Sequence, residues 1–227
     1  MALEAKSIGQ QRATLAGEAR LEIERMIIEG HLAAGEKLNE LALSTAMGVS
    51  RGTVREAIRS LADSGLIDLI ANRGAFVHET TIAEVRNLYD LRGAIFAMAC
   101  ASAARRVGAG MEGDLVQRLE RNMDRMRRAH VEDDADGYYA LNIEFHDILM
   151  QAAANPKGKT IYDNLVKEMH LFRRRGLSIA TNIARSIEEH EAILLGVAAG
   201  GPEQARQAAE VHIRSGLARY MNIVEAD

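Results

Sequence analysis

Apolar residues recur at helical spacing along most of the chain. Between Ala13 and Gly30, the positions Leu15, Ala19, Ile23, Met26 and Ile27 mark one face, and Gly30 supplies a stop. "NELALSTAMG" predicts a short helix ending at Gly48. Ser50 then caps a third helix, in which Val54, Ala57, Ile58 and Leu61 form the inward stripe before Gly65 ends it. The period changes in "LIDLIANRGAFVHE": two β-prone runs, Leu66–Ile70 and Ala75–His78, flank "ANRG", whose Asn and Gly favour a tight turn. Three helices followed by a hairpin is the order of a winged helix-turn-helix.

Helical spacing resumes at "TIAE", read as a capping box with Thr81 as N-cap and Glu84 at the third helical position. Helices are expected near 81–107, 112–132, 135–154, 158–175, 180–199 and 202–224. Their breaks fall at "GAG", "DDADG", "NPKG" and "GGP", with Pro202 at the first position of the last helix. The expected architecture is mainly α: a flexible arm at 1–12, a winged helix-turn-helix at 13–78 and an all-α helical bundle at 81–224.

On the third helix the outer face carries Arg51, Arg55 and Arg59. Arg51 and Thr53 fall in its first turn, the part of a recognition helix that meets base edges, and arginine can grip a guanine edge with two donors. Arg55 and Arg59 are placed for phosphates. A solvated basic face is the plain reading of an isolated helix of this kind. The preceding short helix, the tight "MGVS" turn and the hairpin turn this stripe into a docking unit instead.

Composition narrows the field. The formal net charge is −4, and in residues 1–80 nine Lys and Arg stand against eleven Asp and Glu, so DNA binding has to come from the local patch at 50–61. Aromatic residues are 4% of the chain, too few for the stacking platforms of RNA-binding proteins. The one cysteine, Cys100, cannot form an internal disulfide and reads as a buried structural thiol. No apolar run approaches the ~20 residues of a membrane span, and the N-terminus lacks the order of a signal peptide. A cytoplasmic protein with no membrane partner is expected.

"GEKLNELALSTAMGVSRGTVREAIRSLADSGLI" followed by "NRGAFV" resembles the DNA-binding domain of the GntR family of bacterial transcription regulators, and the helical part resembles its FadR-type, or FCD, subgroup. The likeness spans about residues 13–222. Ala34 stands where the family usually has Pro, and Gly52-Thr53 where it commonly has Thr-Pro. The resemblance implies that Ser50, Arg51, Thr53 and Arg55 contact the major groove and its phosphates, while Arg73 and Gly74 at the wing tip approach the minor groove. A solvated loop charge is the competing reading of Arg73. The resemblance also implies a dimerising, effector-binding helical domain. Paired recognition helices on a palindromic operator in double-stranded DNA then make a homodimer the expected form, with repression the expected mode.

The second half carries a histidine constellation. In "YYALNIEFHDIL", Asn142 and His146 lie four apart, on the face that also carries Tyr138, Leu141, Phe145 and Leu149. His190 sits between Ile187 and Leu194, and His212 follows Ala205, Ala208 and Ala209 at helical spacing. Three histidines from three helices therefore point towards one core. A single such histidine is ordinarily a hydrogen-bonded core residue. Three neutral imidazoles plus one oxygen donor suit a divalent metal ion, zinc or nickel. "N...FH", "S.EEH..IL" and the last-helix His look like the FCD metal site, which often has Asp where Asn142 stands.

Arg92 falls on an inward stripe with Leu88, Ile95, Phe96 and Ala99, and a buried guanidinium calls for an anionic partner. Either Glu144 supplies it from the core, or Arg92 binds a small carboxylate effector, as the resemblance suggests. Arg173, four after Met169, carries the choice between the same effector-binding role and a solvent-facing one. Two alternatives stay in view. In one the ion is itself the signal; in the other the site is that of a zinc-dependent hydrolase, with Glu189 or Glu191 as general base. "HEAIL" has Leu194 where the HExxH pattern needs a second His, and a hydrolase has no use for a winged helix.

Overall fold

The computed structural model describes residues 10–169, 172–173, 176–177 and 179–225. The chain divides into two compact units, 1–81 and 82–227. Of the arm expected at 1–12, residues 1–9 lie outside the described residues, and Gln10 already begins a helix.

The first unit holds α1 (Gln10–Ile28), α2 (Glu40–Met47), α3 (Arg51–Asp63) and a hairpin of β1 (Ile67–Ile70) and β2 (Gly74–Val77). Asn39 caps α2, its side-chain oxygen accepting from the Leu41 and Ala42 amides. Gly48 closes α2 with φ +66°, a left-handed conformation in which a side chain would be strained. Ser50 then accepts from the Thr53 amide at 3.1 Å, so α3 starts two residues after α2 is turned off. Val54, Ala57, Ile58 and Leu61 are buried with Ile23, Ile27 and Leu43 in one core, each large side chain contributing about 1.5–3 kcal/mol. On α1 the buried stripe runs through Ala16, Ala19, Ile23 and Ile27, and Leu15, expected inside, is 43% exposed.

In the hairpin Ile67 pairs with Val77 and Ile70 with Gly74, antiparallel. Asn72, at φ +61°, makes the turn between them. Lys37 bridges to Phe76 on the other edge of β2, where Val77 donates to the Glu36 carbonyl.

The second unit is all helical: α4 (Ile82–Gly108), α5 (Leu115–Val131), α6 (Ala135–Ala152), α7 (Pro156–Glu168), α8 (Ala180–Ala198) and α9 (Pro202–Val224). Phe96, Met123, Met126, Tyr138, Phe145, Leu149, Ile193 and Val197 fill its core. Cys100 is buried there, and burial pushes its thiol pKa up, as for an inert structural cysteine. The α9 helix packs on α4 and α8. Its contact with α8 depends on Gly196, where a Cβ would lie 2.8 Å from the Ala205 nitrogen. No helix among the described residues is long and apolar enough to cross a membrane.

Candidate functional site

Two groups of residues carry chemistry, one in each unit. On α3, Arg51, Arg55 and Arg59 are exposed, as are Ser50 and the wing residues Arg73 and Gly74, with Thr53 half-buried. Ser50 Oγ lies 2.9 Å from Thr53 Oγ1, so both hydroxyls face the start of the helix. Arg55 does not stand free: its Nε and Nη2 bond the two carboxylate oxygens of Glu40 at 3.2 and 2.7 Å. That bond raises the Arg55 pKa and, with the charges of Arg51 and Arg59, holds the Glu40 carboxyl below its usual range. Arg73 lies over the Phe76 ring at 5.5 Å and Lys37 at 5.9 Å, which places two cations around the wing. Glu40 and Lys37 escaped the sequence reading because neither lies on the recognition helix or at the wing tip.

In the helical unit, Asn142 and His146 come from α6, His190 from α8 and His212 from α9, all buried. One ring nitrogen from each histidine lies within 4.8 Å of the other two, and His146 Nε2 is 3.1 Å from His212 Nε2. Tetrahedral nitrogen ligands at the usual ~2.0–2.1 Å from zinc are about 3.3 Å apart, so small side-chain shifts would accommodate an ion. The outer nitrogens are all engaged. His190 Nδ1 donates to the Ser186 carbonyl at 2.6 Å, His212 Nδ1 to Glu189 at 2.9 Å, and His146 Nδ1 meets the Tyr162 hydroxyl at 2.9 Å. Such partners fix ring orientation and turn the other nitrogen inward. Phe96 against His146 and Phe145 edge-on to His190 hold the rings laterally. Burial, reinforced by nearby cations, pushes all three imidazoles well below their usual pKa, which keeps them in the neutral form that metals require.

The oxygen expected from Asn142 points elsewhere. Its carbonyl accepts from Arg173 at 2.9 Å, while its amide nitrogen faces His190 Nε2 at 3.1 Å. Ligation by Asn142 would therefore compete with Arg173. The Tyr138 hydroxyl, one turn earlier, is buried beside Ser186 and Asn142, and burial pushes its pKa up.

Both inward arginines are buried, Arg173 included, against its solvent-facing reading. Glu144 is not the partner of Arg92: it is exposed on α6 and pairs with Arg125. Arg92 instead donates to Tyr162 at 3.2 Å, and its Nη2 lies 3.4 Å from both ring nitrogens of His146. Burial lowers its pKa. Among the described residues no carboxylate is bonded to Arg92 or Arg173. The two guanidiniums line one cavity with Asn142, Ser186, His212 and Arg219, with room of about 20 Å³ for the centre of a water molecule. Arg219 was missed from sequence, although it lies seven residues after His212 and so on the same helical stripe. The general bases of the hydrolase reading are both taken, Glu189 by His212 and Arg219, Glu191 by Arg127.

Comparison with known proteins bears on each unit separately. Residues 15–77 match the profile "Bacterial regulatory proteins, gntR family" and residues 87–215 that of the FCD domain. The chain is 36% identical over 131 residues to the HTH-type transcriptional repressor RspR of Escherichia coli K12, an alignment spanning 58% of this chain and 56% of that relative. It is 28% identical to the HTH-type transcriptional regulator LutR of Bacillus subtilis over 83% of this chain and 93% of that one. Among solved structures, E. coli McbR/YncC superposes with a TM-score of 0.73 at 18% identity, covering 92% and 98% of the two chains. A putative transcriptional regulator GntR from Rhodococcus sp. RHA1 gives 0.70 at 22%, covering 92% and 98%. These structural likenesses speak for the fold.

Proposed function

The chain belongs to the gntR family of bacterial regulatory proteins and carries an FCD domain, and from that premise we propose that it is a DNA-binding transcription regulator controlled through its helical unit. This is a family of regulators, which leaves no place for the hydrolase. The observation that carries the DNA reading is the division of α3 into a buried apolar stripe and an exposed Arg51, Arg55, Arg59 face, capped by Ser50 beside a cation-bearing wing. Arg51 and Thr53 read base edges, Arg55 and Arg59 meet phosphates, and Arg73 with Gly74 enters the minor groove. A homodimer in the cytoplasm sets two such helices on a palindromic operator, and the mode of action is repression.

Control of that binding rests on the cluster in the helical unit. His146, His190 and His212 hold a divalent ion, zinc or nickel, with Asn142 available as a fourth donor if it releases Arg173. Bound there, the ion supplies a Lewis-acid contact for an anionic ligand. Arg92 and Arg173 bind and orient a small carboxylate in the adjoining cavity, since two buried cations without a carboxylate partner among the described residues call for an anion. A second reading, in which the ion alone is the signal, draws support from the cavity's size: it suits about one water, so an organic acid enters only by displacing lining side chains.

Selection of duplexes from a random library by the full-length protein tests DNA binding. Titration of the selected duplex complex with metal alone, and then with a panel of small organic acids, separates the two signals. An acid that shifts operator affinity only in the presence of metal supports the first; a shift by metal with no further response to any acid supports the second.

A further inference from the structure

The bond between Glu40 and Arg55 spans two helices and 15 residues of sequence. Glu40 is the first residue of α2, and Arg55 lies in the second turn of α3. The same carboxylate lies 3.9 Å from Arg51, one turn nearer the start of α3. The pair is partly exposed, Glu40 at 27% and Arg55 at 50% of the side chain, and exposed ion pairs contribute little to stability because solvent screens them and both side chains must be immobilised. Its consequence is orientation. A guanidinium is a planar fork of five donors. With Nε and one Nη2 hydrogen on Glu40, Arg55 keeps its other edge, Nη1 and the second Nη2 hydrogen, to offer two parallel bonds to a phosphate.

We propose that Glu40 is a specificity-determining positioning residue: it touches no base, but it holds Arg55 on one phosphate and so fixes the register of α3, in which Arg51 and Thr53 meet their base edges. A negative charge near DNA costs general affinity, so a carboxylate placed here trades affinity for discrimination. The inference rests on the DNA-binding reading above.

The test measures affinity of the full-length protein for its selected duplex and for a scrambled duplex of the same length, across a series of salt concentrations, in wild type, Glu40→Gln and Glu40→Asp. Glu40→Gln removes the charge. Glu40→Asp keeps it but withdraws the carboxylate by one methylene, and it leaves an acidic residue at the start of α2, so that helix stays supported. The ratio of selected to scrambled affinity is expected to fall roughly tenfold in both variants, the scale of one well-aimed arginine contact. The scrambled affinity should rise in Glu40→Gln. A merely electrostatic Glu40 would change both affinities alike in Glu40→Gln and neither in Glu40→Asp, and an unchanged ratio in both variants overturns the proposal while leaving the DNA reading intact. If wild type selects no sequence from the library, the DNA reading falls, and the role of Glu40 falls with it.

Discussion

The Nδ1 atom of His212 lies 2.9 Å from Oε2 of Glu189. Arg219 bonds the same carboxylate through both terminal nitrogens, at 2.7 and 3.0 Å. Glu189 thereby fixes the tautomer of His212, with the proton on Nδ1 and the Nε2 lone pair facing the other histidines.

Replacing Glu189 with Gln should consequently weaken divalent metal binding by about 10–100-fold, the usual effect of losing an outer partner of a ligating histidine. Stoichiometry would stay at one ion per chain. Competition with a chromophoric chelator measures this, and an unaltered affinity would mean that the Glu189 contact serves packing alone.

Removal of His190 should have a larger consequence. The His190→Ala protein, purified without chelator, is expected to lose most of its bound metal, because one of three converging imidazoles is gone. Elemental analysis of both proteins gives the answer; equal metal content would make these core histidines.

Asn142→Asp should raise metal affinity, on the order of tenfold, by adding an anionic oxygen beside the ion. The new carboxylate would also attract Arg173, now 2.9 Å from the Asn142 carbonyl. Acid binding should weaken in the same variant as Arg173 is drawn off, which calorimetry on metal-loaded protein can read.

For the effector, Arg92→Met is the discriminating change. An acid that shifts operator affinity through a coupling of ~1–3 kcal/mol, roughly 5–150-fold, should lose that effect in the variant. Retention of the full response would remove Arg92 from the ligand site.

Gly196 connects the fold to the site. With a Cβ 2.8 Å from the Ala205 nitrogen and 2.9 Å from its Cα, Gly196→Ala has to push α8 and α9 apart, and those helices carry His190 and His212. Overpacking of this kind costs ~1–3 kcal/mol, so Tm should fall by roughly 2–4 °C for each kcal/mol, with metal affinity falling alongside. Thermal unfolding with and without metal would show both effects.

Most helix positions were legible in the sequence, because period and punctuation are local. Ser50, Asn39, Gly48 and Pro202 stand where a helix must start or stop, and each does so here. The facing of three histidines into one core was legible for the same reason, since a residue three or four positions from apolar ones on a helical stripe, as His146 is from Leu149, His190 from Leu194 and His212 from Ala208, has one direction to point. What escaped were partners supplied by other helices. The sequence left Arg92 a choice between Glu144 and a ligand. Only packing decided it, by leaving Glu144 on the surface with Arg125 and setting Arg92 against Tyr162 and His146. Whether Asn142 turns its oxygen to a metal or to Arg173 depends on where α6 meets the segment carrying Arg173. Leu15 and Ala16 are both apolar and adjacent, so periodicity alone did not decide that Ala16 is buried and Leu15 exposed. A chain's periodicity sets the direction of each side chain relative to its own helix axis; the tertiary structure sets what it finds there.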